Sequence, residues 1–346
     1  MVQNKSAVFL KFPSEFPIPG EHFAIQTSDL HASLKDKEIL LRNLYFSLDP
    51  YMRGRMTNAK SYIPHFEPQK PMSGYGVAEI IESKNPAFPV GFLVSGMTGW
   101  EQYSLIPKPF TKLLRVLPKH ARESKKIPFS AWVGVLGMPG FTAYSSLKAI
   151  GQPKAGETIF VSAAAGAVGQ LVGQMAKKLG LRVVGSAGSD DKVDYLLNEL
   201  KFDAAFNYKK NGTILENLKR TAPEGIDIYY ENVGGETLEA ALEVMKNHGR
   251  VIACGMISQY NTTKPYGIRN LGYIVAKRIT MRGFINDDFA EEYMEDFIKD
   301  VGEWLEKDEI IYREDVENGI EGSLDVFVGM LKGKNFGKQV VKIADL

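Results

Sequence analysis

The sequence predicts an α/β protein: a doubly wound parallel sheet, bracketed in the chain by a β-rich domain. Three observations carry this reading. From Glu157 to Leu305 short apolar runs alternate with amphipathic segments. The first of those runs passes through small residues into a helical pattern. The first third of the chain instead has short apolar runs punctuated by Pro, Gly and aromatic residues.

Taken in order, the first third offers strands over Glu38–Leu44, Gly76–Ile81, Phe92–Met97 and Lys112–Leu117. Turn signals separate them, as in an irregular, mostly antiparallel sheet. The style changes near Ala131. Thr158–Ser162 reads as a buried strand. Val168, Leu171, Val172, Met175, Ala176 and Leu179 then recur at helical spacing on one face. Strands follow at Leu181–Ser186, Asp203–Asn207, Ile226–Glu231 and Arg250–Cys254, with helices between them at Asp190–Leu200, Thr213–Arg220 and Glu236–Lys246. Short right-handed crossovers turn such a series into a parallel sheet. A strand at Ile279–Phe284 and a helix at Phe289–Leu305 close the unit. The tail, Ile310–Leu346, is again β-like, with one helix near Leu324–Leu331. The expected domains are 131–309 and a discontinuous partner made of 1–130 and 310–346.

Length and charge narrow the function classes. A chain of 346 residues exceeds what one core usually holds. With 42 Lys and Arg against 41 Asp and Glu, the net charge is +1. Such a chain has no field to draw in nucleic acid or anionic lipid, so a small molecule or another protein chain is the expected partner. A single cysteine, Cys254, forms no internal disulfide and no structural zinc cluster. The N-terminal MVQNKSAVFLKF lacks the layout of a secretory signal, and no apolar run reaches membrane-spanning length. The expected location is the cytoplasm, with the nucleus as the alternative.

The main chemical signal is the stretch from Thr158 to Gly169, in which Ala164, Gly166 and Gly169 take the three glycine positions of GxGxxG. Small residues between a strand and a helix let backbone approach a pyrophosphate, and the helix start supplies N–H groups and a positive dipole end. Without a ligand the same stretch would be a tight packing turn; its place in a βαβ unit favours a dinucleotide. An NAD enzyme usually ends its second strand on an acid that bonds the ribose 2′-OH. Here that strand ends Val184-Gly185-Ser186-Ala187-Gly188-Ser189, and Lys192 follows. Missing repulsion, small residues and a nearby cation favour NADPH. Asp190 and Asp191 dilute that field, and Lys192 read alone is a solvated surface lysine.

Metal and nucleophile motifs are missing: there is no H-E-x-x-H, C-x-x-C or G-x-S-x-G, and His22, His31, His65, His120 and His248 are scattered. Hydride transfer needs none of these, because the cofactor carries the chemistry.

Several segments together resemble the zinc-independent medium-chain dehydrogenase/reductase superfamily, in the branch of leukotriene B4 12-hydroxydehydrogenase, prostaglandin reductases and alkenal double-bond reductases. They run from Ser47 to Met56, Gly96 to Trp100, Gly137 to Tyr144, through the glycine turn, then Phe206 to Lys209, Glu231 to Glu236, Cys254 to Asn261 and Gly333 to Lys338. The resemblance spans almost the whole chain, with the motifs in order. It implies a GroES-like β domain, a Rossmann domain, and an active site in the cleft between them. It implies that Ala165, Gly166, Ala167 and Val168 hold the pyrophosphate. Lys192 and Tyr208 would take the 2′-phosphate, with Gly188 giving space. Asn232 would touch a ribose. Cys254, Gly255, Ile257, Ser258, Tyr260, Phe284, Ile285, Asn286 and Asn335 would line the nicotinamide half. Tyr260 would be catalytic, hydrogen-bonded into the network that stabilises an enolate oxygen. Tyr51 is either a second such residue at the substrate mouth or a packing aromatic. Read without the family, Tyr260 and Tyr208 are a loop and a strand-end aromatic, and Asn335 is a turn residue.

The implied reaction is reduction of the C=C bond of an α,β-unsaturated aldehyde or ketone by NADPH, in a homodimer without metal. Quinone reduction, NADP-dependent oxidation of a secondary alcohol, and non-catalytic NADPH sensing are the rivals. Two departures from the family pattern, Gly91-Phe92 and Pro68-Gln69-Lys70-Pro71, fall in the β domain.

Overall fold

The structure is a computed structural model that describes residues 2–30, 33–118 and 120–346. His31 and the side chain of His120 lie outside the described residues. The chain forms two compact units, one of residues 1–137 with 314–346, the other of 138–313.

The first unit opens with β1 (Val2–Phe9), β2 (Phe23–Leu30) and β3 (Ile39–Ser47), continues with β4 (Lys70–Pro71), β5 (Ser73–Ser83), β6 (Leu93–Gly99), β7 (Tyr103–Ile106) and β8 (Leu114–Val116), and is completed late in the chain. β1 sits between β2 and β4, both antiparallel to it. The β1–β2 ladder went unread in the sequence, because Gln26, Thr27, Ser28 and Asp29 leave β2 mostly exposed. β3 is buried along most of its length, and it pairs with β5 and β7. Trp100 stacks on Phe46 at 5.4 Å and donates its indole N–H to Ser323 Oγ at 3.0 Å, which ties the strand core to the C-terminal tail.

The second unit holds β9 (Thr158–Val161), β10 (Arg182–Ala187), β11 (Ala204–Asn207), β12 (Ile226–Glu231), β13 (Met245–Ala253) and β14 (Thr280–Gly283). They form one sheet in the order β11-β10-β9-β12-β13-β14, every pair parallel. This is the doubly wound arrangement, and its direction of winding reverses between β9 and β12. Ligands bind at the carboxyl ends of the strands beside such a switch point. Phe160 stacks against Phe206 and Tyr229 at 5.9 and 5.0 Å in the core. β15 (Glu314–Asn318) and β16 (Lys338–Lys342) then return to the first unit, where β16 pairs with β3.

Besides β1, β2, β4, β7 and a helix at Met138–Ser146, which the sequence did not announce, further elements differ from expectation. β13 begins at Met245, so Lys246, expected in a helix, lies in a strand. The helix stops at Val244 because Met245 takes extended backbone and pairs with Ile226 ahead of a register shift; tertiary pairing overrides the helical pattern. Asp190–Leu200 is a short helix, Asp190–Asp194, that runs on into a π-helical turn, Tyr195–Glu199. A short helix at Gly272–Ala276 was not expected.

Candidate active site

The loops that follow the six parallel strands carry most of the expected site residues. Ala165, Gly166, Ala167 and Val168 follow β9; Gly188 and Lys192 follow β10; Tyr208 follows β11. Asn232 follows β12, Cys254 to Tyr260 follow β13, and Phe284, Ile285 and Asn286 follow β14. Topology therefore brings them to one edge of one sheet. Tyr51 and Asn335 belong to the first unit.

After β9 the backbone turns through Ala163, held in the left-handed region at φ 48°. A Cβ on Gly169 would lie 2.7 Å from the Ala163 carbonyl oxygen and 2.7 Å from Ala164 Cα, so only glycine lets the helix Gly169–Lys178 start this close to the strand. The N-cap residue is Val168, which has no side-chain oxygen, and no side chain caps the helix. The Gln170 and Leu171 amides bond the carbonyls of Gly166 and Val168 at 3.1 and 3.2 Å, so what an anion meets here is the turn before the helix and the positive end of its dipole rather than a row of free amides.

The end of β10 has room and balanced charge. A Cβ on Gly188 would come 3.1 Å from the Tyr208 hydroxyl, so glycine lets that ring lie against the strand end. The Tyr208 amide donates to the Ala187 carbonyl at 3.1 Å. Asp190 accepts from Asn207 Nδ2 at 2.7 Å and pairs with Lys210. Those two partners hold its carboxyl below the usual range. The acid that diluted the field in the sequence is therefore matched by Lys210, a pairing that no local pattern announced. Lys192 stands half-buried on the first turn after it.

The loops after β12 and β13 form one hydrogen-bonded body. Asn232 donates its amide to Ser162 Oγ at 3.0 Å and its side-chain Nδ2 to the Ser162 carbonyl at 2.8 Å. The Ile257 amide reaches the Asn232 carbonyl at 3.1 Å, and the Ser258 amide and Oγ reach the Val233 carbonyl at 3.0 and 2.5 Å. Burial pushes the Cys254 thiol up to about 12, so it is not a nucleophile near neutral pH. The Tyr260 hydroxyl accepts the Met256 amide at 3.1 Å. Burial raises this phenol above its usual range, so it stays neutral. Its oxygen is fixed by a backbone donor while its proton has no protein acceptor among the described residues. That arrangement suits donation to an oxyanion.

The remaining candidates are less gathered. Phe284 packs against Phe289 at 5.9 Å, the Ile285 amide donates to Asp288 at 3.0 Å, and Asn286 Nδ2 bonds Asp287 at 3.0 Å. Asn335 spends its Nδ2 on the Gly337 carbonyl at 2.7 Å, within the turn before β16. Tyr51 opens the short helix Tyr51–Arg55 and meets Tyr75 edge-on at 6.5 Å. Its hydroxyl is buried without a partner in hydrogen-bonding geometry. Burial and the Asp49 charge push it well above its usual range, with Arg55 opposing. Sequence reasoning gave Glu231 no role of its own; it entered only as the end of an apolar strand and the first residue of the Glu231–Glu236 segment.

Two family models match the chain: "N-terminal domain of oxidoreductase" over residues 5–114 and "Zinc-binding dehydrogenase" over residues 167–302. The donor set does not fit the zinc of the second description: among the described residues, no group of three or more His, Cys, Asp or Glu could hold a metal ion. A 2-alkenal reductase (NADP(+)-dependent) of Nicotiana tabacum is 44% identical over 99% of this chain and 98% of its own. The (+)-pulegone reductase of Mentha piperita is 42% identical over 99% of both. Among solved structures, CurA of Vibrio vulnificus in complex with NADPH superposes with a TM-score of 0.90 at 39% identity, covering 99% of this chain and 100% of that one. With full-length likeness and a parallel sheet whose strand ends carry the glycine turn and Tyr260, the chain belongs to the zinc-independent alkenal-reductase branch of the medium-chain dehydrogenase/reductase superfamily.

Proposed function

We propose that this chain is an NADPH-dependent reductase that saturates the C=C bond of α,β-unsaturated aldehydes and ketones without a metal. One observation carries the reading most directly: a neutral, half-buried phenol, Tyr260, is fixed by a backbone amide with its proton left to give. Of the relatives named above, one is an NADP(+)-dependent 2-alkenal reductase, one a (+)-pulegone reductase, and CurA is solved in complex with NADPH.

When bound, NADPH would supply the hydride for the electrophilic β-carbon of the substrate, and a water or hydroxyl would supply the proton that the α-carbon takes up. The protein's residues do the rest. The turn from Ala165 through Val168, at the positive end of the helix Gly169–Lys178, receives the pyrophosphate. Lys192 and the Tyr208 hydroxyl receive the 2′-phosphate over Gly188, and Lys210 cancels the repulsion of Asp190. Asn232, held by Ser162, faces the ribose with its remaining oxygen. Cys254, Gly255, Ile257 and Ser258, with Phe284, Ile285 and Asn286 from the next loop, are assigned to the nicotinamide wall. Tyr260 donates into the hydrogen-bond network of the developing enolate oxygen. Tyr51, whose buried hydroxyl lies near the Arg55 guanidinium but makes no well-formed hydrogen bond among the described residues, is assigned to the substrate.

We assign a homodimer through β14. This strand is the edge of the sheet, and Leu271 and Val275, in the segment that leads into it, are 50% and 80% exposed. An edge with unpaired backbone and apolar neighbours is a template for a second copy. No described helix is long and apolar enough to cross a membrane. The lone cysteine fits a reducing compartment, and we assign the cytoplasm.

The test uses NADPH carrying deuterium at the transferable C4 position, with a panel of enals, enones, quinones and secondary alcohols. The expected outcome is oxidation of NADPH with enals and enones, with deuterium on the β-carbon of the product. Deuterium on the carbonyl carbon, or turnover with quinones alone, overturns the reading.

A further inference from the structure

Glu231 ends β12 beside the switch point and is fully buried. Its Oε1 accepts from the Tyr229 hydroxyl at 2.8 Å, the Val233 amide at 2.5 Å and the Gly234 amide at 2.9 Å, with Ser162 Oγ at 3.4 Å. Its Oε2 is equally buried and meets no donor. A carboxyl chosen only to fill this space would be a poor choice, since a bare buried oxygen is costly. What the side chain gains is control of a turn. Buried amides need an acceptor, and Oε1 serves two consecutive ones.

That turn is the foundation of the loop that carries Tyr260. The Cys254 and Gly255 amides bond the Glu231 carbonyl at 2.9 and 3.1 Å. The Ile257 and Ser258 amides bond the carbonyls of Asn232 and Val233, the latter being one of the residues whose amide Glu231 holds. A Cβ on Gly234, which sits at φ 74°, would lie 2.8 Å from Met256 Cβ, so the two loops are in direct contact. The next link is the Met256 amide on the Tyr260 oxygen. On the other side, Ser162 joins Glu231 to both the amide and the side chain of Asn232.

We propose that Glu231 is the positioning residue of this site, its single accepting oxygen fixing the 231–235 turn and, through it, both Asn232 and Tyr260. The inference rests on the reductase reading. It assigns Glu231 no contact with substrate; it acts through the loops. Burial also holds its carboxyl above the usual range, against the pull of the Gly234 and Val233 amides.

The test compares Glu231→Gln, Glu231→Asp and Glu231→Ala with the wild type, measuring kcat and KM for an enal, the NADPH dissociation constant, and far-UV circular dichroism. Gln keeps an accepting oxygen at the same reach. Asp keeps the charge and withdraws the oxygen by one methylene. The expected result is Gln within about threefold of wild-type kcat, and Asp and Ala lower by about ten- to a hundredfold with folded spectra, since small misplacements of a catalytic group have effects of that size. Should Ala fail to fold, Gln against Asp still decides. Asp with wild-type kcat, or Gln as impaired as Asp, overturns the proposal. A wild type without enal turnover would instead overturn the reductase reading, and the NADPH dissociation constants then decide for Glu231: Asp is expected to weaken binding and Gln to preserve it, and equal affinities would overturn its role.

Discussion

Asp49 in the first unit and Glu231 in the second are both buried acids, and they are satisfied in opposite ways. Asp49 pairs through one oxygen with Lys338 Nζ at 3.1 Å and accepts Ser47 Oγ on the other at 2.5 Å. Lys338 also donates to the Leu48 and Gln339 carbonyls at 2.6 and 2.9 Å, so three acceptors match its three N–H groups. Burial depresses the lysine while Asp49 pulls the other way. Glu231 crowds its donors onto one oxygen and leaves the other bare. The difference teaches where each region invests. The first unit uses a closed charge pair to pin β16 to the segment that leads into Tyr51. The second tolerates an unmatched oxygen at a strand end because the geometry of two loops depends on it.

The sharpest way to break this comparison is Lys338→Met. Removing one partner of a buried pair leaves Asp49 uncompensated, and the expected loss is about 3–5 kcal/mol of unfolding free energy, read by denaturant titration. A loss under about 1 kcal/mol would mean that the pair is not what holds the tail to the sheet.

The next effect concerns an acid of the first unit that has no cation. Glu101 accepts from Asn4 Nδ2 and Ser104 Oγ, both at 2.9 Å, and burial pushes its carboxyl up to about 7 from an ordinary 4.5. The unfolded chain releases this proton first as pH rises. Stability from this group is therefore complete below about pH 4.5, falls as pH rises toward 7, and is flat beyond, for a total of up to about 3 kcal/mol. Unfolding free energies across that window are expected to decline in the wild type and to decline less in Glu101→Gln. Identical slopes would show that Glu101 ionises freely when folded.

Much of the second unit was legible because its signals are local. Buried runs such as Thr158–Val161 and Ile226–Glu231 read as strands from composition alone, and the small residues from Ala163 to Gly169 announced the turn between strand and helix. What escaped depends on partners distant in sequence. The Asp190–Lys210 pair spans 20 positions, and Glu231 meets Ser162 across 69. Met245 entered a strand because Ile226 pairs with it, which outweighs its helical neighbours. In the first unit, β1 and β2 are held by a ladder whose register no residue pattern specifies. The bare oxygen of Glu231 and the buried hydroxyl of Tyr51 are visible only once burial is known.

The central claim is that a phosphorylated nicotinamide nucleotide lies along the strand ends of the second unit. It is tested most directly by the dissociation constants of NADPH and NADH for the wild type and for Lys192→Ala. The expected result is tight NADPH and weaker NADH in the wild type, with Lys192→Ala weakening NADPH by about tenfold or more and NADH by less than about twofold. Equal losses for both nucleotides, or a wild type that does not distinguish them, would contradict the account.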